Sequence, residues 1–323
     1  MREYLIFSAG GASGLNTNNK NRHHKANLAL LGVAFIWGIT FVVVKDALDY
    51  IGPFYFLAIR FAMAFLFLLA VYFKRMAGTT GKELGAGIFI GLFLFGGYSF
   101  QTVGLQYTGA ANAGFITGLS VVLVPIFALF SSRLLPSFFL CAGVLCSVTG
   151  LALLSVNDSL SLNYGDLLVF FCAVCFAGHI LLVGKYTAQF SPIRLTIIQI
   201  GTVSAISLLT GMSVETMPAT ITGPVWTALL ITAIPATSLA FLIQNRVQKY
   251  TSATNTAIIF TMEPVFAGLG AFLLAGEVLS YRQLAGCILI LAGMLAAELK
   301  GTTTKKPPSG GASLQTAGRQ ETA

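Results

Sequence analysis

Met262-Glu263-Pro264 sets an acid and a helix-breaking imino acid side by side inside an apolar run. A charge at bilayer depth costs at least about 2.5 kcal/mol, so an acid there marks a pore, a partner or a function. Pro264 withdraws one backbone hydrogen bond and frees a carbonyl beside it. Glu263 is therefore a candidate proton carrier or receptor for an amine; its bland counterpart is a neutral carboxyl bonded to a neighbouring helix. Arg60 stands about six residues into another apolar run, roughly 9 Å deep at about 1.5 Å per residue. It can snorkel to the outer surface and pair with Asp46 or Asp49, the favoured reading, or hold a carboxylate in its planar fork. Lys45 shares a helical face with Trp37 and Phe41, at spacings of four and four, and reads as a gate or interfacial anchor beside Asp46. Tyr98, Gln101, Asn112, His179, Gln199, Gln244 and Asn245 are uncharged polar groups at similar depth. Each alone is explained by a bond across helices; with Trp37 and the many phenylalanines they describe an aromatic chamber with a few orienting polar groups. Cys172-x2-Cys175 with His179 resembles a metal site only superficially, because no second ligand pair follows, so no metal or cofactor is expected.

The elements that must carry these groups are set by composition. The chain has 323 residues, of which 56% are hydrophobic and 9% are charged. Soluble domains carry about 25% charged residues, so lipid must do most of the solvating here. The apolar share is about 181 residues (56% of 323), enough for roughly nine or ten helical crossings at about 20 residues each. Runs near 27–46, 54–73, 84–105, 110–131, 138–156, 165–184, 193–212, 225–245, 254–275 and 282–299 predict ten spans. Residues 1–25 and 300–323 read as disordered polar tails, and no cleaved signal is expected. Five cysteines within the apolar runs read as free thiols. Gly87-x3-Gly91 and Gly114-x3-Gly118 predict close helix approach in the third and fourth spans.

The net charge of +8 marks orientation. With ten spans, sixteen of the nineteen Lys and Arg fall on the side of the two termini, leaving Lys45, Arg60 and Arg282 for the far half. Asp46, Asp49, Asp158, Asp166, Glu215 and Glu277 lie on the far loops. Both termini are therefore expected in the cytoplasm, and nucleic-acid binding has no support.

Sliding the chain against itself at an offset of 143 aligns Gln101 with Gln244, Tyr107-Thr108 with Tyr250-Thr251, and Asn112 with Asn255. It also aligns Ala142-Gly143 with Ala285-Gly286 and Gly150 with Gly293. Near the start, Gly38 falls on Gly178 and Lys45 on Lys185 at an offset of 140, and Arg60 on Gln199 at 139. The expected fold is an all-α membrane protein of ten transmembrane helices, built as two inverted five-helix repeats, 26–157 and 158–299. An odd number of spans per copy makes the second copy enter from the opposite side, the common plan of secondary transporters.

Trp37-Gly38 with Phe41 and Lys45, Arg60, the Tyr107–Asn112 junction, Met262-Glu263-Pro264, Gly276-Glu277 and the Gly-rich fifth and tenth spans occur here in order. In these marks the sequence resembles the drug/metabolite transporter superfamily, namely the ten-span permeases with two EamA domains, over residues 26–299. The resemblance implies a permease that exports a small metabolite, amino acid or drug; the inverted repeat adds alternating access, and Glu263 makes protons the candidate coupling ion. It implies a multi-pass protein of the cell membrane (a bacterial plasma or inner membrane), monomeric or homodimeric, whose partners are a small-molecule substrate and lipid. One departure is that Arg133-Leu134 stands where the second copy has Gly276-Glu277. ATP drive is unsupported, since no G-x4-G-K-[ST] loop occurs. A membrane-embedded enzyme would need a nucleophile pair, two acids or a metal cluster within the bilayer, so the chain is read as no enzyme. A scaffold or sensor without transport is the remaining alternative, and the tails look too short to serve as signalling domains.

Overall fold

The computed structural model describes residues 17–132, 138–155, 163–248, 256 and 259–299, and all of its regular structure is helical. In chain order the helices are α1 (Thr17–Ala47), α2 (Pro53–Met76), α3 (Gly81–Leu105), α4 (Ala110–Gly118), α5 (Ser120–Ser132) and α6 (Phe138–Ser155). They continue as α7 (Tyr164–Thr187), α8 (Pro192–Val214), α9 (Gly223–Ala233), a π-helical turn (Ile234–Leu239), α10 (Ala240–Gln248), α11 (Met262–Ala275) and α12 (Tyr281–Leu299). Among the described residues seven helical stretches are long and apolar enough to cross a membrane, and Cys141–Leu154, Met262–Ala275 and Tyr281–Ala296 are shorter apolar helices.

Local chemistry explains the boundaries. Pro53 and Pro192 open α2 and α8, where a missing N–H is harmless. The Thr80 hydroxyl accepts from Glu83 N at the start of α3, and the Asn163 side chain accepts from Gly165 N and Asp166 N at the start of α7. Gly276 closes α11 at φ 64°, a left-handed conformation that suits a residue without Cβ. Large apolar side chains such as Leu66, Phe73, Leu209 and Phe272 point outward, as expected where lipid is the solvent.

Two expectations are corrected. The backbone is helical from Thr17, so the last nine residues of the expected polar tail are helical, because adding turns to an established helix is cheap compared with starting one. Residues 1–16, Arg133-Leu134, the 157/158 boundary and 300–323 lie outside the described residues. The fourth stretch runs as one apolar helical span from Ala110 to Leu129, with Leu119 (φ −59°, ψ −18°) as a single turn residue between α4 and α5, and the ninth has a similar turn at Thr261 (φ −60°, ψ −18°) immediately before α11. The eighth is interrupted by the π-helical turn, where Pro235 removes an amide donor and the Thr237 and Ser238 hydroxyls bond the carbonyls of Thr232 and Ala233.

Helices pack mainly across the two halves of the chain: α2 on α8, α3 on α7 and α8, α1 on α11, α4 on α11, and α6 on α12. The last crossing is made by glycine. A Cβ on Gly150 would lie 2.6 Å from the Gly286 carbonyl oxygen, and one on Gly293 would lie 2.5 Å from that of Gly143. These are two copies of one contact, since the offset of 143 carries Gly150 to Gly293 and Gly286 to Gly143. Gly87 and Gly91 meet Ile198 and Thr202 of α8, and Gly114 and Gly118 meet Ala267 and Pro264 of α11. The small-residue pairs thus let helices approach closely.

Candidate functional site

A chamber lies where α1, α2, α3, α4, α5, α7, α10 and α11 converge, beside the turn residues of the fourth and ninth stretches. Of the residues singled out above, Trp37, Arg60, Tyr98, Gln101, His179, Gln244 and Glu263 line it. Thr40, Thr117, Ser120, Phe176, Phe241 and Phe260 complete much of the wall. About 50 Å³ is open to the centres of water molecules, room for about three to five waters at about 10–15 Å³ each. A solute with a carbon skeleton therefore enters only when the walls part.

Aromatic rings dominate those walls. Trp37 packs against Phe241 and Phe260 at centroid separations of 5.2 and 5.1 Å, and Tyr98 against Phe176 at 5.4 Å. The Trp37 indole Nε1 donates to the Ala236 carbonyl at 2.7 Å, using a backbone acceptor within the π-helical turn. Gln101 donates to the Thr117 hydroxyl at 3.2 Å, and a ring nitrogen of His179 bonds Gln199 Oε1 at 2.8 Å.

Arg60 overturns the outer-gate reading. Its side chain is 2% exposed and forms an ion pair with none of the described acids. It turns inward: Nε donates to the Thr237 hydroxyl at 2.8 Å, Nη2 donates to the Tyr98 hydroxyl at 3.4 Å, and the guanidinium lies 4.8 Å from the Tyr98 ring centre. The aromatic faces and hydroxyls partly replace water around the cation, which makes the inward direction tolerable. Glu263 sits in the first turn of α11, at its positive end, and makes no hydrogen bond or ion pair with another described residue. The interhelical bond offered as its bland reading is therefore absent among the described residues.

Five of the named residues do not line the chamber. Gln199 stands behind His179, Asn245 donates to the Thr196 hydroxyl at 2.8 Å, and Asn112 is buried near the start of α4. Asp46 is on the last turn of α1. Lys45 pairs at 3.4 Å with Glu277, which also accepts from the backbone N–H groups of Ala110 (2.9 Å) and Ala111 (3.1 Å). The Lys45–Glu277 pair is more than a third exposed on the lysine side, so it contributes little; the two amide bonds at the open N-terminus of α4 contribute more. Glu277→Ala is expected to destabilise the protein by about 1.5–3 kcal/mol, against less than about 1 kcal/mol for Lys45→Met. Equilibrium unfolding of the two variants checks the order.

Thr237, Phe241 and Phe260 escaped the reading of the sequence. The available signal for Thr237 was Pro235-Ala236-Thr237-Ser238, a proline followed by hydroxyl residues inside an apolar run. Cys172 lies 3.8 Å from the Thr117 hydroxyl, and among the described residues no group of three His, Cys, Asp or Glu is placed to hold a metal ion.

The EamA-like transporter family model matches the chain twice, over residues 24–156 and 163–297. The chain belongs to that family. This EamA-like protein is 37% identical over 296 residues to an "uncharacterized transporter" of Archaeoglobus fulgidus, covering 92% of this chain and 91% of the relative. It is 27% identical over 291 residues to the uncharacterized transporter YyaM of Bacillus subtilis, covering 86% and 94%. A crystal structure with 20% identity superimposes with a TM-score of 0.65, covering 85% of this chain and 97% of the other, which shows a shared fold. Family and apolar helices together make it a multi-pass membrane protein.

Proposed function

We propose that the protein is a secondary transporter that moves a small metabolite, amino acid or drug outward by alternating access, with Glu263 exchanging protons. In this reading ten spans form two inverted units, 26–157 and 158–299, with both termini in the cytoplasm and a bacterial plasma or inner membrane as host. One observation carries it: the chamber lies where the fourth and ninth stretches, equivalent in the two copies, meet, each with a single turn residue beside it. Leu119 and Thr261 are one residue from coincidence under the offset of 143, and α4 packs on α11. A site shared by two repeats is the usual place of a secondary transporter's binding site. The interfaces agree: exchanging the halves returns α2·α8 and α6·α12 to themselves. The family and the names of the relatives support transport over a catalytic role.

Alternating access predicts that one chamber position is reached from both sides. Ser120→Cys, in a background with the five native cysteines replaced, is expected to react with a membrane-impermeant thiol reagent in right-side-out and inside-out vesicles alike. Labelling from one face alone, or from neither, would rule out the mechanism.

A further inference from the structure

We infer that the transported solute is an organic carboxylate and that Arg60 is its receptor. The inference rests on the transport reading of the chamber and adds the chemistry of what fits there.

A guanidinium has five N–H donors. Thr237 and Tyr98 take one each from Arg60, leaving three without a described partner at the chamber wall. A cation withdrawn from water and lacking a counterion is held in a costly state, and an entering anion relieves it. The direction of the fork is also fixed. The Thr237 hydroxyl accepts from Arg60 while donating to the Thr232 carbonyl at 2.8 Å, so the π-helical turn locks it in place. Phe61 and Tyr98 flank the guanidinium, with ring centres 5.4 and 4.8 Å away. A planar, oriented fork suits a carboxylate, which takes two parallel N–H bonds. Trp37, Phe241 and Phe260 supply apolar faces for the body of such a solute, which an inorganic anion would leave unused.

Two further cations point the same way. A separate cleft is lined by Arg75 of α2, the helix that carries Arg60, and by Arg246 of α10. Both guanidiniums lie over the Tyr72 ring, at 5.8 and 5.6 Å, and neither pairs with a described acid. Basic clefts raise the local concentration of anions. The positive-inside rule places this cleft on the cytoplasmic side, from which an exporter loads.

Trp37 provides the readout, once Trp226→Phe leaves it the only tryptophan. The full-length purified protein is titrated with benzoate, benzamide, benzylamine and sodium chloride, following Trp37 fluorescence. Benzoate is expected to give a saturable change, with the neutral amide, the amine and chloride each at least about tenfold weaker. Arg60→Gln is expected to weaken benzoate at least about tenfold, and Arg60→Lys to restore part of the loss because it keeps the charge without the fork. If Arg60→Gln does not fold, the order of the four compounds on the parent protein decides alone. Equal binding of benzylamine, benzamide or chloride, an unchanged benzoate titration in Arg60→Gln, or no response to benzoate would overturn the carboxylate assignment. Benzoate binding with one-sided Ser120→Cys labelling would instead remove transport and leave the carboxylate site standing. Two-sided labelling with no preference for benzoate would do the reverse.

Discussion

Vesicles reconstituted with Glu263→Gln are expected to show no solute-driven proton movement above the leak of protein-free vesicles. The exchange is nearly isosteric and keeps a polar side chain on the chamber wall, yet the amide cannot take up or release a proton. The carboxyl it replaces faces the chamber in the first turn of α11 and lacks a described hydrogen-bonding or ionic partner. An acid kept at that depth without a structural partner is best explained by a role in the transport cycle. The measurement uses an entrapped pH-sensitive dye, after a panel of amino acids and organic acids has identified a solute that drives a signal in the parent protein. Coupling that persists in Glu263→Gln would remove the carboxyl from the mechanism, while Ser120→Cys labelling would still report on access.

Gly38→Leu is expected to abolish transport and to lower thermal stability sharply. A Cβ at Gly38 would lie 2.6 Å from the Cβ of Phe266, 2.8 Å from the Ala267 amide nitrogen and 2.8 Å from the Glu263 carbonyl oxygen. Two of these atoms belong to the backbone of α11, so no side-chain rotation relieves the contact. Helix α11 must move away from α1, and Glu263 moves with it. Even Gly38→Ala should cost about 1–3 kcal/mol through overpacking, and leucine more. Gly32 is the control on the same helix, since a Cβ there meets nothing within 4 Å. Gly32→Ala is expected to be neutral or stabilising by up to about 1 kcal/mol, through helix propensity alone. Thermal unfolding of the three variants, with uptake assays, checks the contrast; equal behaviour of Gly32→Ala and Gly38→Ala would refute the close approach.

Much of the architecture is legible from residue types. Apolar runs of the required length read as helices, because a chain in lipid must satisfy its own backbone hydrogen bonds and the strands of a barrel would alternate polar and apolar residues. The offset of 143 also carried geometric content: the aligned glycines prove to be the two reciprocal contacts of α6 and α12. Glu263, Arg60 and Trp37 were recognisable because a charge or a large indole at depth needs a reason.

Which polar groups face one another was settled only by the tertiary structure. In a soluble helix a polar stripe marks the watery side, but helices bathed in lipid are apolar nearly all round and carry no such stripe. Gln244 and Asn245 are neighbours in the chain, and only Gln244 lines the chamber. The direction of Arg60 depends on Thr237, 177 residues away, and that of Lys45 on Glu277, 232 residues away. Depth in the bilayer follows from position along a helix and is written locally. Direction around the helix axis is chosen by partners from the other half of the chain, which no local pattern encodes.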